Sequence, residues 1–114
     1  MSEAHVWPAT IGEFWSWHMD AACRRMDTTL FFSPEGERGA RRARREVAAK
    51  RICGSCRVVE VCAAYAIASR EPYGTWGGLS ETDRRALLRG VDPRLAEARY
   101  RTALAAWERG TVGT

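Results

Sequence analysis

The chain has 114 residues, which is enough for one domain with a modest core. It carries 18 basic and 14 acidic residues, a net charge of +4 that permits contact with phosphate groups without establishing it. No stretch approaches about 18 consecutive apolar residues, which argues against a membrane span. Residues 1–8 lack the basic and apolar regions of a secretory signal, so we expect a cytoplasmic protein.

A helix is predicted over Ile11–Arg24, after a flexible N-terminal arm at residues 1–10. Trp15 and Trp17 would lie about 200° apart around this helix, so both indoles cannot lie on one buried face. We therefore expect one of them in the core and the other at the surface. Cys23 lies near the end of the same helix.

A loop is predicted over Met26–Gly39, because Pro34 and Gly36 interrupt regular structure. Within it, Phe31 and Phe32 are adjacent. Two neighbouring aromatic side chains in a loop cannot easily both point inward. This predicts one phenylalanine in the core and one directed towards a partner.

The next predicted helix, Arg38–Cys53, is basic and amphipathic. Its arginines recur at helical spacing along one stripe: Arg38, Arg41, Arg42 and Arg45. One interpretation of this stripe is a solvated surface. The other is a contact with phosphate groups or with an acidic partner.

The cysteines form the most informative pattern in the chain. Cys53, Cys56 and Cys62 lie within ten residues, and Cys23 lies thirty residues before Cys53. On one continuous helix Cys62 would lie about 240° from Cys56, so the chain must break for these thiols to face one point. Gly54-Ser55 supplies a suitable break. In a reducing compartment such a set predicts metal binding rather than disulfides.

Zinc and iron–sulfur clusters both accept four thiolates. Structural zinc usually uses two C-x2-C pairs, or one pair with two histidines, and His5 and His18 do not form such a pair. The spacing therefore favours an iron–sulfur cluster, and a zinc-stabilised interaction module remains open. Two further interpretations are four unrelated buried cysteines and a thiol–disulfide reductase that uses Cys53 and Cys56, although no thioredoxin-like βαβ pattern accompanies them.

A second cysteine helix is predicted over Arg57–Ser69, with an apolar stripe that turns Cys62 towards the core. Glu71-Pro72 ends it. A tight turn follows, in which three glycines surround Trp76: Gly74, Gly77 and Gly78. Such a turn holds the indole on a stiff backbone suited to a binding anchor, and packing beside the cysteines is the alternative role.

Two more helices are predicted near the C-terminus. Ser80 is expected to cap a short helix that ends near Arg89, and Asp92-Pro93 begins a last helix that Gly110 ends. The predicted fold class is therefore all-α, a small bundle of four to five short helices folded around the four-cysteine cluster. We assign residues 11–90 to the cluster-binding domain and residues 91–114 to a C-terminal helix and tail.

Together these motifs resemble the WhiB-like family of actinobacteria, over roughly Phe14 to Gly90. The resemblance is carried by the four-cysteine pattern, by Leu30-Phe31-Phe32, by Glu71-Pro72-Tyr73, by Gly74-Thr75-Trp76-Gly77-Gly78 and by Leu79-Ser80-Glu81. It implies a helical protein around one 4Fe–4S cluster held by Cys23, Cys53, Cys56 and Cys62.

The resemblance also implies a transcription regulator that binds the C-terminal region, region 4, of the principal sigma factor of RNA polymerase. The implied contact residues are aromatic: Trp17, Phe31, Phe32 and Trp76. Loss of the cluster to oxygen or nitric oxide would disorder this surface and switch the regulator.

The chain also departs from the family's pattern. Arg57 stands where the family usually has proline, and Thr75 where it usually has an aliphatic residue. The C-terminal residues lack the Arg-Gly-Arg motif with which many members enter the minor groove. We therefore expect promoter contact to be weak and sigma-assisted, through arginines of the predicted basic helix: Arg38, Arg41, Arg42 and Arg45.

Overall fold

The computed structural model describes residues 11–26, 30–32 and 34–112. The predicted arm at residues 1–10 lies outside these ranges. Within them the chain forms five α-helices and one 3-10 turn: α1 Ile11–His18, the 3-10 turn Ala22–Arg25, α2 Gly39–Gly54, α3 Val59–Ala68, α4 Glu81–Leu88 and α5 Pro93–Val112. The predicted all-α class is confirmed. None of the helices in these ranges combines the length and hydropathy that a bilayer span requires.

Two predicted helix ends are wrong. The first helix stops at His18 rather than Arg24, because Ala21 adopts an extended backbone and starts a separate 3-10 turn. That turn carries Cys23 away from the axis of α1. The last helix continues past Gly110 to Val112.

The main core lies where α3 packs against α5, and α1 covers it. Its buried residues are Trp17, Ala21, Val58, Val61, Tyr100 and Leu104. The indole Nε1 of Trp17 donates a hydrogen bond of 3.0 Å to the hydroxyl oxygen of Tyr100, and both residues are 0% exposed. This bond satisfies the one polar atom that Trp17 brings into the core.

A smaller core forms between α2 and the segment before it. It consists of Phe31, Ala49 and Cys53. This second core places the end of α2, and therefore Cys53, beside the 3-10 turn that carries Cys23.

Helix α4 begins with the predicted cap. Ser80 Oγ accepts a hydrogen bond of 3.2 Å from the amide of Asp83, and Asp83 Oδ2 accepts one of 2.9 Å from the amide of Ser80. Two ion pairs join this first turn to α2: Arg42–Glu81 at 3.0 Å and Lys50–Asp83 at 2.8 Å. These ion pairs link the first turn of α4 to α2, and the buried Ser80 and Arg84 also hold α4 in place.

We expect Tyr100→Phe to lower the free energy of unfolding by about 1–3 kcal/mol, because it leaves the buried indole N–H of Trp17 without an acceptor. Urea denaturation of protein with matched iron content would measure the change. The matched control is Tyr73→Phe, since Tyr73 is 69% exposed. An equal effect of the two substitutions would contradict this role for the buried hydrogen bond.

Candidate iron–sulfur site and aromatic cleft

All four cysteines line one small cavity of about 20 Å³. Cys53 lies in the last turn of α2, Cys56 in the connection and Cys62 in α3. The predicted break is present, because α2 ends at Gly54 and α3 begins at Val59. Tertiary folding thus brings the distant Cys23 to the three clustered cysteines.

The described side chains of Cys, His, Asp and Glu include no group of three that converges on a single metal ion. Four thiols spread around a cavity suit a centre with several iron atoms, each of which takes one thiolate. The cavity has room for about one water molecule. The four thiols must therefore move apart to surround a cluster of several iron atoms. A larger cleft shares the walls Cys23 and Cys62 and leaves room on that side. The donor set and the apolar walls fit an iron–sulfur cluster.

Burial and the neighbouring thiols raise the pKa of Cys23 above its ordinary value. Burial also raises the pKa values of Cys53 and Cys62, and that of Cys62 most strongly. A metal centre binds thiolates, so its assembly here must release protons. The positive charge of iron would replace the protons that otherwise keep these buried sulfurs neutral.

Backbone amides point at the sulfurs. The backbone amides of Gly77 and Gly78 lower the pKa of Cys53, and the amide of Gly77 also lowers that of Cys62. The amide of Ala22 donates to Cys56 Sγ over 3.3 Å. Such N–H···S bonds stabilise thiolates and tune an iron–sulfur cluster. The turn around Trp76 therefore forms part of the wall of the thiol cavity.

Glycine is required at two points of this turn. A methyl group on Gly77 would lie 2.4 Å from the backbone nitrogen of Ala63, and one on Gly74 would lie 2.5 Å from the ring of Phe32. Both glycines and Gly78 also have positive φ. The turn can approach α3 only because Gly77 carries no side chain, and the positive φ angles of Gly74 and Gly78 also favour glycine.

A second, larger cleft of about 270 Å³ adjoins the thiol cavity. Phe31, Phe32 and Trp76 line it together with Cys23 and Cys62. Phe32 is 42% exposed and Phe31 is 4% exposed, which confirms that one phenylalanine is buried and the other is not. The structure thus brings three of the four predicted contact aromatics to the walls of one cleft, where Phe31 is buried and Phe32 and Trp76 are exposed or partly exposed.

Trp17 is a correction to the predicted contact surface. Its indole is fully buried, and the rings of Phe14 and Tyr65 lie against it at centroid distances of 5.1 and 5.5 Å. It stabilises the core and is not available to a partner in this conformation. The side chain of Trp15, the other tryptophan considered for the surface, lies outside the described part of the chain.

The basic stripe of α2 is also corrected. Arg42 pairs with Glu46 at 3.1 Å and with Glu81 at 3.0 Å. Arg45 pairs with Glu37 at 2.6 Å, and its side chain is only 10% exposed. Arg42 and Arg45 are therefore engaged in ion pairs within the chain. Arg38 and Arg41, in contrast, are exposed.

Sequence reasoning missed Arg84. This residue is 1% exposed and donates hydrogen bonds to three backbone carbonyls in the segment 71–79. The adjacent Arg85 is exposed, and among the described residues its side chain donates to the hydroxyl of Thr82. No local signal separates two consecutive arginines, so their roles follow only from the packing of α4.

The sequence pattern of the family described as transcription factor WhiB matches residues 17–87. The chain belongs to the WhiB family. It is 50% identical over 91 residues to the transcriptional regulator WhiD of Streptomyces coelicolor, which covers 80% of this chain and 81% of WhiD. It is 47% identical over 92 residues to the redox-responsive transcriptional regulator WhiB3 of Mycolicibacterium smegmatis, covering 80% of this chain and 96% of that protein.

A further WhiB relative is the redox- and pH-responsive transcriptional regulator WhiB3 of Mycobacterium tuberculosis. It is 44% identical over 91 residues, covering 80% of this chain and 89% of the relative. The WhiB match includes all four cysteines and the glycine-rich turn. Membership of this family supports a role in transcription regulation, exerted through the transcription machinery.

We expect Gly77→Ala to lower the free energy of unfolding by about 3 kcal/mol or more and to reduce the iron bound per chain, because the new methyl group overlaps Ala63 and meets an unfavourable φ. Thermal unfolding and iron analysis would measure both effects.

The matched control is Gly90→Ala. Gly90 has a similar positive φ of 75° but no atom within 4 Å of the added methyl group. It should cost about 1–2 kcal/mol and leave iron binding unchanged. Equal iron loss in both variants would show that the close approach of Gly77 to α3 is unimportant for the site.

Proposed function

We propose that this WhiB family member is a 4Fe–4S regulator that binds region 4 of the principal sigma factor and modulates promoter transcription. The observation that carries the proposal is the position of the exposed aromatic cleft, which shares walls with the thiol cavity. Cys23, Cys53, Cys56 and Cys62 would hold the cluster as thiolates. When bound, the cluster supplies reversible one-electron chemistry and sensitivity to oxidants.

The shared walls give a physical route from the cluster to the partner surface. Phe31 and Thr75 line both the thiol cavity and the aromatic cleft, and the amide of Thr75 donates a 2.7 Å hydrogen bond to the carbonyl of Phe31. A change in the separation of Cys23 and Cys62 therefore moves residues that also shape the cleft. This coupling supports a redox-dependent interaction, and the WhiB3 relatives are described as redox-responsive regulators.

The cleft has the properties of an anchor site. Three aromatic side chains line it, and Arg24 and His18 also contribute to its walls. Trp76 is partly exposed, and its ring stacks at 5.9 Å on Tyr65, which extends into the core. A rigid, partly exposed indole beside an apolar cleft is typical of residues that dominate the energy of protein interfaces.

We expect Trp76→Ala to abolish co-purification with sigma region 4 while the protein keeps its cluster, because the substitution removes the anchor and none of the cysteines. Protein purified without oxygen should contain about four iron and four sulfide ions per chain in both forms. The control is Leu95→Ala, since Leu95 is 48% exposed on α5 and does not line the cleft.

Three results would count against the proposal. Retained sigma binding by Trp76→Ala would show that the anchor is elsewhere. Absence of sigma binding by the unaltered, cluster-loaded protein would remove sigma region 4 as the partner. A colourless protein with one zinc per chain would remove the cluster and the redox mechanism.

Promoter DNA is the second proposed contact, and it is assigned to the exposed Arg38 and Arg41. The test is the double variant Arg38→Gln, Arg41→Gln in the sigma complex. The slope of log affinity against log salt concentration should decrease in magnitude by about 2, because each lost phosphate contact contributes about 0.9. Filter binding to promoter DNA over a range of salt concentrations would measure it. Arg85→Gln is the control, and an equal change in this variant would contradict the assignment.

A further inference from the structure

Arg84 is almost completely buried, and all its described hydrogen bonds go to one segment of the chain. Its Nε donates to the carbonyl of Glu71 over 3.2 Å, Nη1 to that of Leu79 over 2.6 Å, and Nη2 to that of Tyr73 over 3.1 Å. The three carbonyls lie on both sides of Trp76 in sequence. The guanidinium therefore joins the two ends of the glycine-rich turn.

This arrangement has an energetic cost. Burial lowers the pKa of Arg84, and the nearby carboxylates of Glu81 and Glu71 oppose the shift. A buried arginine remains charged, and it is tolerated when its donors are satisfied. An apolar side chain could fill the same space without this desolvation cost. The desolvation cost of Arg84 is therefore better explained by the backbone that its three hydrogen bonds hold in place, namely the two ends of the glycine-rich turn.

One of the three carbonyls connects Arg84 directly to Trp76. The carbonyl of Tyr73 accepts from Arg84 Nη2 and also from the indole Nε1 of Trp76, at 2.9 Å. The opposite end of the turn is held by a pair of 2.9 Å hydrogen bonds between Trp76 and Leu79. Arg84 also bonds the carbonyl of Leu79, so it contacts both groups that orient Trp76.

Glu81 stabilises the turn from the same helix. Its carboxylate accepts a hydrogen bond of 2.8 Å from the amide of Gly74 and pairs with Arg42. Helix α4 thus holds the turn through Glu81 and Arg84, and α2 in turn holds α4. Of these residues, Arg84 is the one that is connected to the indole of Trp76 through a single shared atom, the carbonyl oxygen of Tyr73.

We propose that Arg84 is a positioning residue that sets the orientation of Trp76 through the shared carbonyl of Tyr73, and thereby sets the affinity for sigma region 4. This inference rests on the function proposed above. It makes the choice of arginine specific, because a planar guanidinium can address three separate carbonyls at fixed angles and an ammonium group cannot.

The test compares Arg84→Lys with Arg85→Lys at equal iron and sulfide content. Arg84→Lys should weaken binding to sigma region 4 at least about tenfold, since hydrogen bonds from a charged donor are lost around the anchor. Arg85→Lys should change it less than about twofold, because this exposed arginine bonds the hydroxyl of Thr82 and none of the described atoms of the turn. Unchanged affinity in Arg84→Lys would overturn the proposal.

A double-mutant cycle separates positioning from general destabilisation. In a Trp76→Ala background with enough sigma fragment to measure residual binding, Arg84→Lys should have no further effect, because it acts through the missing indole. If the effects of Arg84→Lys and Trp76→Ala on the free energy of sigma binding are additive, the proposal is overturned. If Arg84→Lys does not fold, Arg84→Gln replaces it in each measurement, since glutamine removes the buried charge and keeps a donor.

Hydrogen exchange tests the positioning without any partner. In Arg84→Lys the amides of Trp76 and Leu79 should exchange at least about tenfold faster, while amides of the α3–α5 core keep their rates. Unchanged protection of the turn would overturn the role of Arg84 even if sigma binds. If the unaltered protein does not bind sigma but the turn loses protection, the proposed function fails and the positioning of Trp76 by Arg84 remains.

Discussion

The contact on which the structure depends is the close approach of the backbone at Gly77 to α3 at Ala63. At this point the turn is near enough for the amides of Gly77 and Gly78 to reach the sulfur of Cys53, and no side chain larger than hydrogen can be accommodated at Gly77. One end of the turn therefore closes the thiol cavity while its middle presents Trp76. The thiol cavity and the aromatic cleft therefore lie on two sides of a single piece of backbone.

The charges of α2 have a different role from the one their spacing suggests. Arg42 and Lys50 hold the first turn of α4, and Arg45 pairs with Glu37 in a nearly enclosed position. Ion pairs at exposed sites contribute little, but partly buried pairs that fix the angle between helices restrict how those helices can pack. A basic helix that resembles a nucleic-acid contact therefore uses one arginine of its stripe, Arg42, together with Lys50 to contact α4, and α4 contacts the turn through Glu81 and Arg84.

The aromatic residues divide between two roles that their residue type does not distinguish. Trp17 is enclosed and hydrogen-bonded to Tyr100, whereas Trp76 lies at the edge of a cleft. Tyr65 connects the two, with ring centroids 5.5 Å from Trp17 and 5.9 Å from Trp76. The partly exposed indole of Trp76 thus rests on the core. Such support lowers the entropy that an anchor side chain loses on binding.

Local features of the sequence determined the all-α class, the break at Gly54-Ser55, the Ser80 cap and the division between Phe31 and Phe32. Each depends on residues a few positions apart, where backbone geometry and amphipathic spacing are decisive. The family motifs indicated the four cysteines before the structure brought them to one cavity. Only the tertiary structure decided that Trp17 is buried, that Arg42 and Arg45 are paired, and that Arg84 and not Arg85 holds the turn. Burial and pairing depend on neighbours distant in sequence, and adjacent residues of the same type carry no local record of them.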